Sequence, residues 1–135
     1  MNELFEQNSS EVDWNEIIDF YENFPKDENY KEIERMKKFV IHLIQNRDLQ
    51  NLHCFTSHET LCVTKFKTHP EWFDKPLVTI DINWGASEQY KYKFSLVERQ
   101  EKDNVIREFV ESVICSFEKS LEIFDEMIEK LERIS

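Results

Sequence analysis

Residues 77–96 read LVTIDINWGASEQYKYKFSL, and this stretch decides the fold. Val78, Ile80, Ile82 and Trp84 alternate with Leu77, Thr79, Asp81 and Asn83; Tyr90, Tyr92, Phe94 and Leu96 alternate with Lys91, Lys93 and Ser95. Alternation of period two marks a strand with one buried face. Between the runs lies Gly85, the only glycine of the chain and the natural corner of a turn. A loop of three or five residues is expected. It sets Ile82 opposite Tyr90 or Tyr92 and Asp81 opposite Lys91 or Lys93, with the lysines off the core. A slip of one residue would invert both faces.

Downstream, Ile106, Phe109, Val110, Val113, Phe117, Leu121, Phe124, Ile128 and Leu131 recur at steps of three and four. That spacing predicts one amphipathic helix capped by Asp103 or Asn104 and running to Ile134. At about 1.5 Å per residue it spans about 45 Å and overhangs a sheet of this size. Its far end then packs on other helices or on a partner, and a dimerising adaptor is one reading of it. Phe117 is expected in the core, with Phe117→Ala costing about 3–5 kcal/mol.

Upstream, residues 1–9 read as a frayed lead-in. Ser10 and Asp13 form a weak helix-start signal. Trp14, Ile17, Ile18, Tyr21 and Phe24 give one helical stripe, ended by Pro25. A second helix begins at Asp27 or Asn29, carries Tyr30, Ile33, Met36, Val40, Leu43 and Ile44, and ends at Asn46-Arg47-Asp48, forming a helical hairpin with the first. Leu52–Thr56 and Thr60–Phe66 are rich in β-branched and aromatic residues and predict two strands joined by Ser57-His58-Glu59, which sets Cys54 opposite Cys62. Lys67–Pro76 reads as a loop. The order α-α-β-β-β-β-α implies an α+β domain over residues 1–135: an N-terminal helical hairpin, a four-stranded antiparallel meander and a long C-terminal helix, with the helices mainly on one face.

The 135 residues carry a net charge of −11, concentrated at the start of the chain. Residues 1–34 hold eleven acids and two lysines. Such acidity repels nucleic acid and anionic membrane and attracts basic partners, though solubility alone also accounts for it. No apolar run approaches the roughly 20 residues of a membrane helix, and no charged-then-apolar leader is present. The expected setting is the cytoplasm.

No catalytic set stands out. Cys54, Cys62 and Cys115 do not make a disulfide framework, and in a reducing compartment they stay free. Cys54, Cys62, His53 and His58 lack the spacing of a zinc knuckle, and neighbours in a strand point apart. A Cys54–His69 pair would need a cation or a helix start to activate the thiol. A single glycine excludes a glycine-rich phosphate loop. Neither metal nor cofactor is expected.

The candidate binding residues are carboxylates and exposed aromatics. Asp13, Glu16, Asp19 and Glu22 form the acidic face of the first helix. Trp72, Phe73 and Asp74 sit between prolines, and Trp84 and Glu88 sit at the tip of the hairpin. Aromatic anchors with acidic rims suit a basic protein partner. In size and charge the chain is similar to bacterial immunity proteins and antitoxins, which neutralise basic nuclease toxins. That likeness implies a non-catalytic inhibitor, monomeric or weakly dimeric, that blocks an active-site cleft. The alternative from another class is a small enzyme or ligand-binding domain with a pocket between sheet and helices.

Overall fold

The structure is a computed structural model that describes residues 13–25, 32–65, 76–101 and 105–134. Three helices, α1 (Trp14–Glu22), α2 (Glu34–Asn46) and α3 (Ser120–Ile134), pack on one face of an antiparallel meander. Its strands are β1 (His53–Ser57), β2 (Thr60–Thr64), β3 (Leu77–Ile82), β4 (Tyr92–Glu101) and β5 (Val105–Cys115), in spatial order β1-β2-β3-β4-β5. The chain order is therefore α-α-β-β-β-β-β-α, with one strand more than expected.

The β3–β4 pair has the expected register, with Ile82 opposite Tyr92 and Asp81 opposite Lys93. Val78, Ile80, Ile82, Tyr92, Phe94 and Leu96 all face the helices and are buried. The connection is longer than expected. It runs over residues 83–91 and contains a 3₁₀ turn at Glu88–Tyr90. Tyr90, expected on the core face, stands on that turn and is exposed.

The helix expected from Asp103 or Asn104 does not start there, and those two residues lie outside the described ones. Residues 105–115 form β5 instead, paired along β4 with a shift at Leu96/Val97. Five of these eleven residues, Val105, Ile106, Val110, Val113 and Ile114, are β-branched. They lose rotamer freedom in a helix and pack well on a pleated surface. Helical spacing was satisfied by accident in a segment whose composition belongs to a strand. The remaining α3 is about 22 Å long by its 15 residues. Its Phe124, Met127 and Leu131 are buried in the core beside the sheet, so these apolar residues are used within the fold. Phe117 lies in the turn before α3, only half-buried.

Two smaller corrections have local causes. The β1–β2 turn pairs Ser57 with Thr60, leaving two loop residues rather than three. His58 makes that possible by adopting φ 58°, a left-handed conformation in which His is enriched among non-glycine residues. Cys62 therefore pairs with Phe55, not Cys54, and the two cysteines fall on opposite faces. The first helix starts at Trp14. Asp13 caps it and Glu16 closes a capping box, so the start signal sits three residues later than Ser10 suggested. Asp27, Asn29 and Tyr30 lie outside the described residues, and α2 begins at Glu34.

One aromatic cluster locks the layers together. Phe39 of α2 meets Phe94 at 5.6 Å and Tyr92 at 5.9 Å on β4, and Phe124 of α3 at 6.4 Å, measured between ring centres. Edge-on contacts of this kind add about 0.5–1.5 kcal/mol to area burial. Because Phe39 touches both β4 and α3, its ring fixes where α2 can lie, and with it the position of the loop described next.

Candidate partner-binding surface

The β3–β4 loop is a braced platform. The Asn83 N–H donates to the Lys91 carbonyl at 2.7 Å, and the Asn83 side-chain amide donates to the Tyr90 carbonyl at 2.9 Å. Ala86 N–H reaches Asn83 O at 3.2 Å and Tyr90 N–H reaches Ser87 O at 3.0 Å. Gly85 takes φ 79°, which a side chain would strain.

The residues around α2 then tie this loop down. Glu32, two positions before the helix, accepts from Lys91 Nζ at 2.6 Å and from the Gly85 N–H at 3.3 Å. The Lys91 hydrogen bond holds the Glu32 carboxyl below the usual carboxylate range, against an opposing effect of burial and with help from Gly85. Arg35 Nη1 donates to Glu88 Oε1 at 2.6 Å, and the Tyr92 hydroxyl donates to the Arg35 carbonyl at 2.8 Å. Glu32, Glu34, Arg35 and Lys38 line an open depression of about 580 Å³ beside the loop. On this scaffold Trp84 is 39% exposed and Tyr90 55%. Rigid aromatics on an ordered loop lose little entropy on binding, so they suit an anchor.

The expected residues divide. Trp84 and Glu88 lie together on the loop. Asp13, Glu16, Asp19 and Glu22 are all exposed on or beside α1, but three of them already work within the fold. Asp13 Oδ1 accepts from Asn15 N–H at 3.0 Å, Glu16 Oε1 accepts from Asp13 N–H at 2.9 Å, and Glu22 pairs with Lys37 of α2. Only Asp19 has no cap or ion-pair role of this kind. Trp72, Phe73 and Asp74 lie outside the described residues. Further acids face outward on α3, where Glu122, Asp125, Glu126, Glu129 and Glu132 are all exposed.

Tyr90, Lys91, Glu32 and Arg35 were not singled out from the sequence. Tyr90 was hidden because the alternation runs past the end of β4. The Glu32–Lys91 pair joins residues 59 apart, and no local pattern announces it.

Cys54 and Cys115 are poor nucleophiles. Burial pushes the Cys54 thiol well above its ordinary range, and it pushes the Cys115 thiol up to about 11. The His42 ring lies 4.7 Å from that of Phe117, and Lys38 Nζ sits 4.2 Å above the same Phe117 ring, so this histidine is held in a stack. Among the described residues no three His, Cys, Asp or Glu side chains are placed to hold a metal ion. His69 is outside them. No described helix is long and apolar enough to cross a membrane.

No protein-family model, curated protein or solved structure matches the chain.

Proposed function

We propose that this chain is a non-catalytic inhibitor of the immunity-protein or antitoxin kind, which neutralises a basic nuclease-type toxin by covering its active-site cleft. The observation that carries this reading is the braced loop that presents Trp84, Tyr90 and Glu88 on a protein of net charge −11. The acidic field steers a basic partner in, and the two aromatics hold it. A Lys or Arg of the partner stacks on Trp84 or Tyr90 and meets the Glu88 carboxylate. The buried thiols with raised pKa values favour this reading over a cysteine enzyme.

The test is to express the product of the gene next to this chain's own and to measure its binding by stopped flow over a salt series; a neighbour that neither is basic nor binds defeats the reading. Association should slow as salt rises, because screening shortens the reach of the field. Charge reversal at Asp19, Glu126 and Glu132 should slow association further. Asp13 and Glu16 are poor choices, because reversing them uncaps α1. Trp84→Ala and Tyr90→Ala should speed dissociation by roughly tenfold or more each, as expected for central anchors. An association rate indifferent to both salt and charge reversal would defeat the steering part. Unchanged dissociation in both aromatic variants would defeat the anchor.

A further inference from the structure

The charge of the whole chain and the charge at its loop differ in kind. The chain carries −11. At the loop and the depression beside it, among the described residues, the signs cancel. Glu32, Glu34 and Glu88 stand against Arg35, Lys38 and Lys91. Glu32 is spent on Lys91. Glu88 is gripped by Arg35, whose Nη1 reaches Oε1 at 2.6 Å while Nη2 pairs with Oε2. That fork leaves the Arg35 Nε–H and the second hydrogen of each Nη for another acceptor. Lys38 stands one turn further along α2 and lines the same depression. Its ammonium sits 4.2 Å above the Phe117 ring rather than against a described carboxylate.

A uniformly basic patch fits such a surface poorly. It would gain at Glu88 and lose at Arg35 and Lys38, where like charges would be pressed together as water leaves. A patch that sets a carboxylate beside its cation gains at both places.

We infer that the contact itself is zwitterionic: the partner protein presents a Lys or Arg to Glu88 and, next to it, an Asp or Glu to Arg35 and Lys38. This rests on the reading of the loop as the partner's site, and it makes Arg35 and Lys38 the residues that set specificity. The incoming carboxylate takes the hydrogens of Arg35 that the Glu88 fork leaves over. The incoming cation takes the lone pairs of Glu88 that Arg35 leaves over. Each charge then has an opposite neighbour and a charged hydrogen bond. The net acidity acts at a distance, on the rate of encounter, while the alternating signs act in the complex, on its lifetime. A basic protein without the paired acid is drawn in and released, because the same two cations reject it.

The experiment is stopped-flow binding of full-chain variants to the product of the neighbouring gene, with association and dissociation measured separately. The reversed pair, Arg35→Glu with Glu88→Arg, keeps both the net charge and an ion pair to brace the loop, and turns over only the polarity. Association should stay within about twofold of wild type, and dissociation should quicken by roughly tenfold or more. Its circular dichroism and thermal midpoint should match wild type. Lys38→Glu makes the chain more acidic, so attraction governed by net charge alone would tighten binding. The zwitterionic contact predicts dissociation faster by roughly fivefold or more instead. Should the reversed pair not fold, Lys38→Glu decides, because residue 38 is exposed. Reversing the partner's Asp and Glu residues one at a time should find one that weakens wild type and recovers part of the loss in the reversed pair. A folded reversed pair that dissociates like wild type overturns the proposal, since Arg35 and Glu88 then only brace the loop. So does a Lys38→Glu complex as long-lived as wild type or longer, or a partner in which no acid matters. These results leave the inhibitor reading standing wherever wild type binds. A wild type that does not bind takes both down.

Discussion

An ion pair stands beyond each end of α2, Glu32–Lys91 before it and Arg47–Asp125 after it, and the two pairs differ in burial more than in geometry. At the N-terminal end, Glu32 meets Lys91 at 2.6 Å, with side chains 19% and 5% exposed. At the C-terminal end, Arg47 grips Asp125 of α3 through two contacts, 2.8 and 2.7 Å, with side chains 35% and 49% exposed. By distance the fork at Arg47 looks as strong. By environment it is the weaker, because water screens exposed charges and competes for their hydrogen bonds. The buried pair has the larger hold on the fold. Either partner alone would be a charge stranded away from water.

The largest effect should come from breaking the buried pair on one side. Lys91→Ala leaves the Glu32 carboxylate partly buried with the Gly85 N–H as its remaining donor, and should cost about 3–5 kcal/mol. The double variant Glu32→Gln, Lys91→Met should recover most of that loss, since a neutral pair of similar volume carries no stranded charge. Urea denaturation of the three proteins measures both. A Lys91→Ala loss below about 1 kcal/mol would erase the distinction between the two ends.

Acid sharpens the same contrast. The folded-state pKa of Glu32 is depressed, so its contribution is fully present above the unfolded carboxylate value of about 4.3. That contribution falls away as pH drops through the lower folded value. Thermal unfolding between pH 5 and pH 3 should therefore show wild type losing more stability than the Glu32→Gln, Lys91→Met variant. Parallel curves would mean that the pair does not titrate with the fold.

Between the two ends, Phe117 tests the middle of α2. Its ring lies under Lys38 and beside His42, half-buried in the turn before α3. The figure of about 3–5 kcal/mol expected for a core helix position does not apply here. Phe117→Ala should cost about 1–1.5 kcal/mol, roughly half the value of a fully buried aromatic. A larger loss in urea denaturation would mean that the stack at Phe117 fastens α2 more than its exposure allows.

The legible part of this fold was what depends on near neighbours in the chain. The β3 and β4 registers followed from alternation, because each apolar residue faced a core that its own strand could specify. Of the α1 stripe, Ile17 and Tyr21 became buried for the same reason. β5 was misread because Ile106, Phe109, Val110 and Val113 satisfy a helical step while the β-branching of Ile106, Val110 and Val113 favours a strand, and only pairing with β4 decides. The β1–β2 register slipped on the backbone of His58, which nothing in its neighbours foretells. Of the candidate surface, Trp84 and Glu88 were readable as hairpin-tip residues. Tyr90 was not, because the turn that exposes it exists only when Glu32 and Arg35 hold the loop from another part of the chain. Asp13 and Glu16 were visible as charges, but their spacing of three was also a capping box.

The smallest effect should come from the exposed fork. Arg47 follows the last residue of α2, and its Nη1 also donates to the carbonyl of the preceding Asn46 at 2.8 Å. Removing the guanidinium strands no buried charge, because Asp125 is half open to water. Arg47→Ala should therefore cost about 0.2–1 kcal/mol, toward the upper end because both carboxylate oxygens are engaged. Lysine keeps the charge but loses the fork, so Arg47→Lys should retain only part of the difference. Salt separates this pair from the one at the other end. Raising ionic strength to about 1 M shortens the screening length to about 3 Å and should remove most of the Arg47 effect. The Lys91→Ala penalty, set by desolvation rather than by long-range attraction, should survive the same salt. Equal salt sensitivity of the two variants in urea denaturation would mean that burial does not govern how α2 is held.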